Sequence, residues 1–120
     1  MSDKQEVETE KKAIKRLYAK LTRETLWIYI LRLLQEKSMY GYEIRTYIID
    51  RFDFAPATVT SYVVLHKLTR EGLVDFTWVK STIGKPDRKY YKITKSGTEM
   101  MKSAKNFLSN IVTTVFDKTN

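Results

Sequence analysis

The stretch that decides the fold is residues 55–97, which read APATVTSYVVLHKLTREGLVDFTWVKSTIGKPDRKYYKITKSG. Its first part predicts a helix over residues 56–71. Pro56 suits the first helical position, because it has no N–H to leave unpaired there and its φ is already helical. Gly72 suits the helix stop, where a residue of left-handed conformation is needed.

The second part of the stretch predicts a β-hairpin. Residues 73–80 are rich in aromatic and β-branched side chains and predict a strand, and residues 90–94 predict a second, shorter one. Between them, residues 81–89 contain Gly84 and Pro86, which are typical of a loop. A helix followed by a hairpin with a cationic tip is typical of the DNA-reading half of a winged helix-turn-helix.

The length and composition limit the number of domains and the classes of protein to which the chain can belong. One domain with a modest core is what 120 residues allow. The absence of cysteine excludes disulfides and thiolate metal sites. No apolar run approaches the roughly 18–20 residues of a membrane span, and the polar, acidic N-terminus lacks the apolar core of a signal peptide. We therefore expect a cytoplasmic protein with no membrane partner.

The net charge of +8 is unevenly distributed. Residues 11–23 carry six cations and no acid, and residues 77–95 carry six cations and one acid. Two concentrated basic blocks beside a near-neutral middle favour a polyanion as partner. A solvated basic surface is the alternative, and the hairpin context of the second block favours DNA.

A basic amphipathic helix is predicted from Thr9 onward, after a polar segment over residues 1–8 that we expect to fray. Its narrow apolar stripe consists of Ala13, Ile14, Leu17, Tyr18 and Leu21. The stripe should lean on the body or on a second copy of the chain, and the basic face leaves an extended DNA contact open. A helix that lies on a membrane surface is the other interpretation, but the apolar face is thin and lacks Trp and Phe.

Two further helices precede the decisive stretch. Thr22 is expected to cap the first of them, with Glu24 in its first turn. This helix is the most apolar of the chain and should run to about Lys37 as the central rod of the core. The next helix should open at Ser38, with a buried side formed by Ile44, Ile48, Ile49 and Phe52.

The final segment predicts a long amphipathic helix that begins at residues 96–97 and ends near Asp117. A terminal helix this apolar needs a partner surface, and a second copy is favoured because two-fold dimers are the commonest oligomers. Folding back on its own domain is the alternative. The expected dimer-interface residues are Met100, Met101, Ala104, Phe107, Leu108, Ile111, Val112, Val115 and Phe116.

The predicted fold class is therefore mainly α with a small β-hairpin. We divide the chain into a charged, partly helical N-terminal extension over residues 1–21, a winged helix-turn-helix over 22–95, and a C-terminal dimerisation helix over 96–120.

The helix over residues 56–71 divides into two faces when its residues are placed at 100° intervals. Ala57, Ser61, Val64, Leu65 and Leu68 share the inward face, and Val59, Val63, His66 and Arg70 share the outward one. Val59 and Val63 are unusual on a solvated surface. They either touch thymine methyl groups in a major groove, or one of them packs under the wing.

The residues expected to contact DNA lie on this helix and on the wing, which should follow a minor groove or the adjacent backbone. They are Thr58, Val59, Thr60, Tyr62, Val63, His66, Lys67, Arg70, Lys85, Arg88 and Lys89.

No set of residues predicts catalysis or a cofactor. His66 is the only histidine, and no acid or cysteine flanks it to complete a metal site. Paired carboxylates, a nucleophile beside a base and a phosphate-binding glycine loop are also absent from the sequence. We expect neither an enzyme nor a metal or cofactor site.

Three motifs make the chain similar to the PadR-like transcriptional regulators over roughly residues 24–97. Residues 39–44, MYGYEI, are similar to the family's HGYEI opening of a helix. Residues 65–74, LHKLTREGLV, match its LxRLExxGLI. Residues 88–97, RKYYKITKSG, match its RKYYxLTxxG and are the most specific of the three. The resemblance implies a cytoplasmic DNA-binding dimer, commonly a repressor, with the C-terminal helix in the dimer interface.

The chain departs from the family pattern on the recognition helix. Where the family has GTLYP, this chain has residues 59–63, VTSYV, which keep only Thr60 and Tyr62. The resemblance implies DNA-backbone contacts for those two residues alone. Tyr40 stands where the family usually has histidine, and the charged N-terminal extension is not a standard part of the pattern. The operator is therefore expected to differ from those of typical members.

We predict a homodimeric, sequence-specific DNA-binding regulator that binds a palindromic site and represses transcription. The alternative is a winged helix that binds another protein, which the outward Val59 and Val63 favour. Some relatives bind flat aromatic effectors at the dimer interface. Trp27 is the candidate for such a contact, with a buried core position as its other interpretation.

Overall fold

The computed structural model describes residues 3–117, with side chains from residue 11 onward. Residues 1–2 and 118–120 of the predicted terminal segments lie outside this range. The fold is mainly helical with a small antiparallel sheet, which confirms the predicted fold class. The elements in order are α1 Asp3–Leu21, a 3₁₀ turn Arg23–Thr25, α2 Leu26–Leu34, β1 Met39–Tyr40, α3 Gly41–Phe52, α4 Thr58–Arg70, β2 Val74–Val79, β3 Arg88–Ile93, α5 Lys95–Ile111 and a π-helical turn Val112–Phe116.

Helix α2 is the central rod of the core, as predicted. It buries Leu26, Ile30, Leu31, Leu33 and Leu34. The helix ends at Leu34 rather than near Lys37, because the N–H of Glu36 donates to the carbonyl of Leu33 (3.0 Å) and closes a tighter last turn.

The start of α2 differs from the prediction. Thr22 does not cap the helix with its side chain, because its hydroxyl donates back to the carbonyl of Tyr18 (2.6 Å). The 3₁₀ turn follows, and α2 begins only at Leu26.

Helix α1 begins at Asp3, so the expectation of a frayed segment over residues 1–8 and a helix from Thr9 was wrong for residues 3–8. The periodicity of apolar residues cannot detect residues 3–8 as helix, because this part is mostly polar. Its Glu, Gln and Lys residues are good helix formers, and acids near a helix N-terminus are favoured by the helix dipole.

The sheet has three strands in the order β1-β3-β2, whereas the sequence predicted only a hairpin. The additional strand β1 pairs with β3 through Met39↔Tyr91 and Tyr40↔Tyr90. A strand of two residues is too short to show alternation in the sequence. It also displaces the start of α3 from Ser38 to Gly41, where the carboxylate of Glu43 accepts from the N–H of Tyr40 (3.1 Å).

The connection between α3 and α4 corrects the role of Pro56. Asp53 has a left-handed backbone (φ 63°) that ends α3. Pro56 is buried and precedes the helix, and its carbonyl accepts from Nε of Arg45 (2.8 Å). Helix α4 begins at Thr58 with Ala57 as its N-cap, so Ala57 is exposed rather than inward.

An ion pair joins the end of α2 to α3. Nη1 of Arg51 lies 2.6 Å and 2.7 Å from the two carboxylate oxygens of Glu36. This hydrogen bond lowers the pKa of Glu36 below its usual value. Because both groups are solvated, the pair orients the two helices more than it stabilises them.

Helix α5 is joined to the end of α4 and the start of β2 at Thr94 and Gly97. The hydroxyl of Thr94 accepts from the N–H of Gly97 (3.0 Å) and donates to the carbonyl of Gly72 (2.7 Å). Gly72 has the left-handed backbone (φ 77°) predicted for the stop of α4. A Cβ at Gly97 would lie 2.2 Å from the carbonyl oxygen of Leu73, so this junction has no room for a side chain.

The helices at the two ends of the sequence make the molecule long, with extents of 65 × 33 × 21 Å. Among residues 3–117, no helix combines the length and the apolar character needed to cross a membrane.

Thr94 provides a test of the junction. We expect Thr94→Val to lower the free energy of unfolding by about 1–2 kcal/mol, since it removes an N-cap acceptor and a hydrogen bond to the end of α4. Urea unfolding followed by circular dichroism measures the change. Thr94→Ser keeps the hydroxyl and is the control; equal loss in both variants would show that the hydroxyl contributes nothing.

Candidate nucleic-acid interface

The outward face of α4 lies open to solvent. Val59 is 75% exposed and Val63 53% exposed, so neither packs under the wing. Ser61, Leu65 and Leu68 are buried on the opposite side, as the helical spacing predicts. The other predicted contact residues on this helix are also exposed: Thr58, Thr60, Tyr62, His66, Lys67 and Arg70.

Tyr62 holds the N-terminal half of α4 against α3. A Cβ at Gly41 would lie 2.5 Å from Cε1 and 2.8 Å from the hydroxyl oxygen of Tyr62, so the ring occupies the space that the glycine leaves free. Burial raises the pKa of the Tyr91 phenol in the sheet, and the neighbouring Tyr62 phenol adds to that shift. Tyr62 therefore lies where α4, α3 and the sheet meet, and it remains partly exposed.

Two further tyrosines connect this point to the wing through the backbone, because Tyr40 precedes Gly41 in the chain and pairs with Tyr90 of β3. Tyr40 and Tyr90 are paired across β1 and β3, and their ring centroids lie 5.5 Å apart in an edge-to-face arrangement. The guanidinium carbon of Arg88 lies 4.3 Å from the centroid of the Tyr40 ring. Such stacking restricts the guanidinium while its N–H donors stay available.

The wing loop is shorter than predicted. Arg88 and Lys89 belong to β3, opposite Val79 and Trp78 in register, rather than to the hairpin tip. Because successive residues of a strand face opposite sides of the sheet, the two cations diverge. The ammonium of Lys89 lies 4.3 Å from the Phe76 ring centroid and 5.3 Å from that of Trp78. The ring of Phe76 also lies 6.0 Å from Tyr91, which is the buried member of the Tyr90–Tyr91 pair.

The hairpin tip is a defined turn. The N–H of Lys85 donates to the carbonyl of Thr82 (3.1 Å), and Gly84 has a left-handed backbone (φ 88°). The N–H of Ser81 donates to the carboxylate of Asp87 (3.3 Å) across the base of the loop. A cavity of about 200 Å³ lies beside the turn and is lined by Val79, Lys80, Ser81, Thr82, Lys85, Arg88 and Tyr90.

This wing cavity contains the chemistry that binds phosphate. Three of its lining residues are cations and three carry a hydroxyl group, and phosphate oxygens accept from both kinds of donor. Lys80 was not among the predicted contact residues, since the sequence places it at the end of a strand. Only the turn shows that it lies beside Lys85 and Arg88.

Helix α5 has two parts with different surroundings. Met101 packs against the core of its own domain, and Ala104 and Ile111 are half-buried. On another face of the same helix Phe107 is 66% exposed, and Phe116 in the π-helical turn is 71% exposed. A groove of about 700 Å³ separates this helix from α2, lined by Ile28, Arg32, Gln35, Met101, Lys102, Ala104, Lys105, Leu108, Ser109, Val112 and Thr113.

Trp27 is a residue of α2; it is half-buried and lies beside α4 and α5. It packs against the core and also lines a cavity of about 430 Å³. The other lining residues are Arg23, Glu24, Leu26, Val64, Lys67, Leu68, Glu71, Leu73 and Met100. In the part of the chain with described side chains, no three His, Asp or Glu residues are grouped as metal ligands would be.

The sequence profile of the "Transcriptional regulator PadR-like family" matches residues 30–103, which is more than half of the chain. The chain belongs to the PadR-like family. Its members are DNA-binding transcriptional regulators, so the exposed face of α4 and the wing are the natural candidates for the DNA interface.

Solved PadR structures share the fold. A PadR family regulator from Eggerthella lenta has a TM-score of 0.78 at 24% identity, covering 93% of this chain and 98% of that one. A PadR-like regulator from Bacillus cereus is 32% identical with a TM-score of 0.63, covering 78% of this chain and 90% of that one. Bacillus subtilis PadR in complex with operator DNA is 27% identical with a TM-score of 0.62, covering 68% of this chain and 47% of that one. No curated protein matches the sequence.

Proposed function

We propose that this PadR-like protein is a sequence-specific DNA-binding repressor that acts as a homodimer in the cytoplasm. The observation that carries the proposal is that two exposed surfaces are joined through the adjacent residues Tyr40 and Gly41. The ring of Tyr62 in α4 lies against Gly41, and the preceding residue, Tyr40, stacks with Tyr90 and with Arg88 of the wing. The complex of B. subtilis PadR with operator DNA supports DNA as the partner.

In the proposed complex α4 enters the major groove. Its N-terminal turn presents Thr58, Val59 and Thr60, and the N–H groups and dipole of a helix N-terminus favour a nearby phosphate. His66, Lys67 and Arg70 follow along the helix and suit phosphate or base-edge contacts. Two such helices, related by a two-fold axis, would meet major grooves about 34 Å apart and read a palindromic site.

The wing supplies the second half of the interface. Lys80, Lys85 and Arg88 line the wing cavity and are exposed, so we place them on backbone phosphates. We assign Lys89 a different role from the one the sequence predicted. Because its ammonium lies over the Phe76 and Trp78 rings, it stiffens the wing instead of contacting phosphate.

The salt dependence of binding tests the wing assignment. Six wing phosphates in a dimer correspond to a slope of log K against log salt of about −5. In a duplex selected from a random library, we expect wild-type protein to show at least this slope. Replacing Lys80, Lys85 and Arg88 together by Gln should remove more than half of it. Fluorescence anisotropy at several salt concentrations measures both.

Lys89→Gln is the matched control, because it removes one wing charge per subunit but none that lines the cavity. We expect its slope to stay close to that of the wild type. If Lys89→Gln loses as much slope per charge as the triple variant, Lys89 contacts phosphate after all. Wild-type protein without salt-sensitive affinity for any duplex would instead favour the protein-binding module, for which the exposed Val59 and Val63 would be the contact surface.

We propose that Val59 and Val63 read thymine methyl groups. Replacing the contacted thymines by uracil should weaken wild-type binding by about fourfold for each methyl, from about 0.8 kcal/mol per buried methyl. The double variant Val59→Ala, Val63→Ala should bind both duplexes equally well. His66→Ala alters the same helix face and should keep the discrimination; a double variant that still prefers thymine would refute the methyl contact.

We propose that α5 forms the dimer interface with a second copy. The exposed apolar side chains of α5 beyond Ala104 adjoin the groove between α5 and α2, and together they form an apolar surface for a partner. Met101 contributes less than the sequence predicted, since it packs on its own domain.

Phe107→Asp together with Val115→Asp should therefore weaken dimerisation by at least tenfold, because each places a charge in an apolar contact. Sedimentation equilibrium measures the change, and circular dichroism verifies that helix content is kept. Asn106→Asp introduces the same charge on the same helix and should leave the dimer intact. A monomeric wild type would disprove this interface.

A further inference from the structure

Ile83 is the most exposed large apolar side chain of the described residues, at 106% of its reference exposure. It is the second residue of the tip turn, which is closed by the hydrogen bond from Lys85 to Thr82. The left-handed Gly84 follows it. A residue in the first central position of such a turn points away from both strands, and Pro is the residue favoured there.

The surroundings of Ile83 distinguish it from an isolated surface residue. Lys80, Lys85 and Arg88 line the cavity that adjoins the same turn. An apolar side chain in the same turn as a cation-lined cavity, at the end of a hairpin, matches a groove whose phosphate rim is negative and whose stacked base pairs can admit an apolar side chain between them. The minor groove of duplex DNA has this character, and apolar wedges enter it between base steps.

We propose that Ile83 is a minor-groove wedge. In this arrangement the wing cavity holds a backbone phosphate at the rim, and Ile83 extends past it to the base edges. The inference rests on the proposed DNA-binding function and adds to it a residue that reads the width and the exocyclic groups of the minor groove.

The charges favour DNA over a membrane or another protein. A single isoleucine buries too little apolar surface to hold a membrane or a stable protein interface. On DNA, where the neighbouring cations would already bind phosphates, Ile83 needs only to add one local apolar contact. The cation Lys89 lies on the other face of the sheet, against the rings of Trp78 and Phe76, and this stacking stiffens the hairpin.

The test combines a variant of the protein with a variant of the DNA. 2,6-Diaminopurine in place of adenine adds an amino group to the floor of the minor groove and leaves the major groove unchanged. In the selected duplex, we expect this base at the wing position to weaken wild-type binding at least tenfold. Ile83→Ser should bind the unmodified duplex about five- to twentyfold more weakly and lose sensitivity to the modification.

Two control variants separate the wedge from charge and from folding. Ile83→Leu keeps an apolar wedge and should behave as the wild type. Lys85→Gln should keep the sensitivity to diaminopurine but lower the salt slope by about 2 in a dimer, whereas Ile83→Ser should leave the slope unchanged. Because the Ile83 side chain is fully exposed, neither substitution there removes a core contact.

Equal binding by Ile83→Ser and the wild type, or indifference of the wild type to diaminopurine at every position, would overturn the wedge while leaving the DNA-binding function intact. If the wild-type protein binds no duplex with salt-sensitive affinity, the DNA-binding function and the wedge both fail. Loss of binding to a partner protein or to anionic vesicles in Ile83→Ser, with DNA affinity unchanged, would assign the tip to that partner instead.

Discussion

The pairing of β1 with β3 is the constraint on which the candidate interface depends. It is only two residues long, but it joins the start of α3 to the wing through Met39↔Tyr91 and Tyr40↔Tyr90. Met39 is buried in the core, and Tyr40 stacks on the other side with Tyr90. The next residue, Gly41, receives the ring of Tyr62 from α4. One short strand thus fixes α4 and the hairpin relative to each other.

This arrangement explains how a small sheet can position charges. Arg88 and Lys89 are neighbours in sequence, yet the pleat sends them to opposite faces, where each rests on aromatic rings. Stacking limits the rotamers of long side chains, so less conformational entropy is lost when a partner binds. A hairpin held by ring contacts on both faces is stiffer than its two strands alone would be.

The sequence predicted those parts whose signal is local and periodic. The apolar density of residues 26–34 identified the central rod, and 100° spacing separated buried Leu65 and Leu68 from exposed Val59 and Val63. It failed where structure depends on distant partners. Nothing in Met39–Tyr40 alone indicates a strand, and the burial of Pro56 comes from the fold around it. The ring partners of Lys89 are likewise brought together only by the register of β2 and β3, which the sequence does not show.

The resemblance to the PadR motifs gains a physical meaning from these contacts. Two positions that follow the family pattern, Gly41 and Tyr62, touch each other and hold α4 in place. Two that depart from it, Val59 and Val63, lie on the exposed face of α4 and support no core contact. Ser61, which also departs, is buried, and its hydroxyl is satisfied by the carbonyl of Ala57 (3.0 Å). Since the outward positions carry no packing energy, their identity can vary without changing the stability of the fold, which is what the proposed reading of DNA by this face of α4 requires.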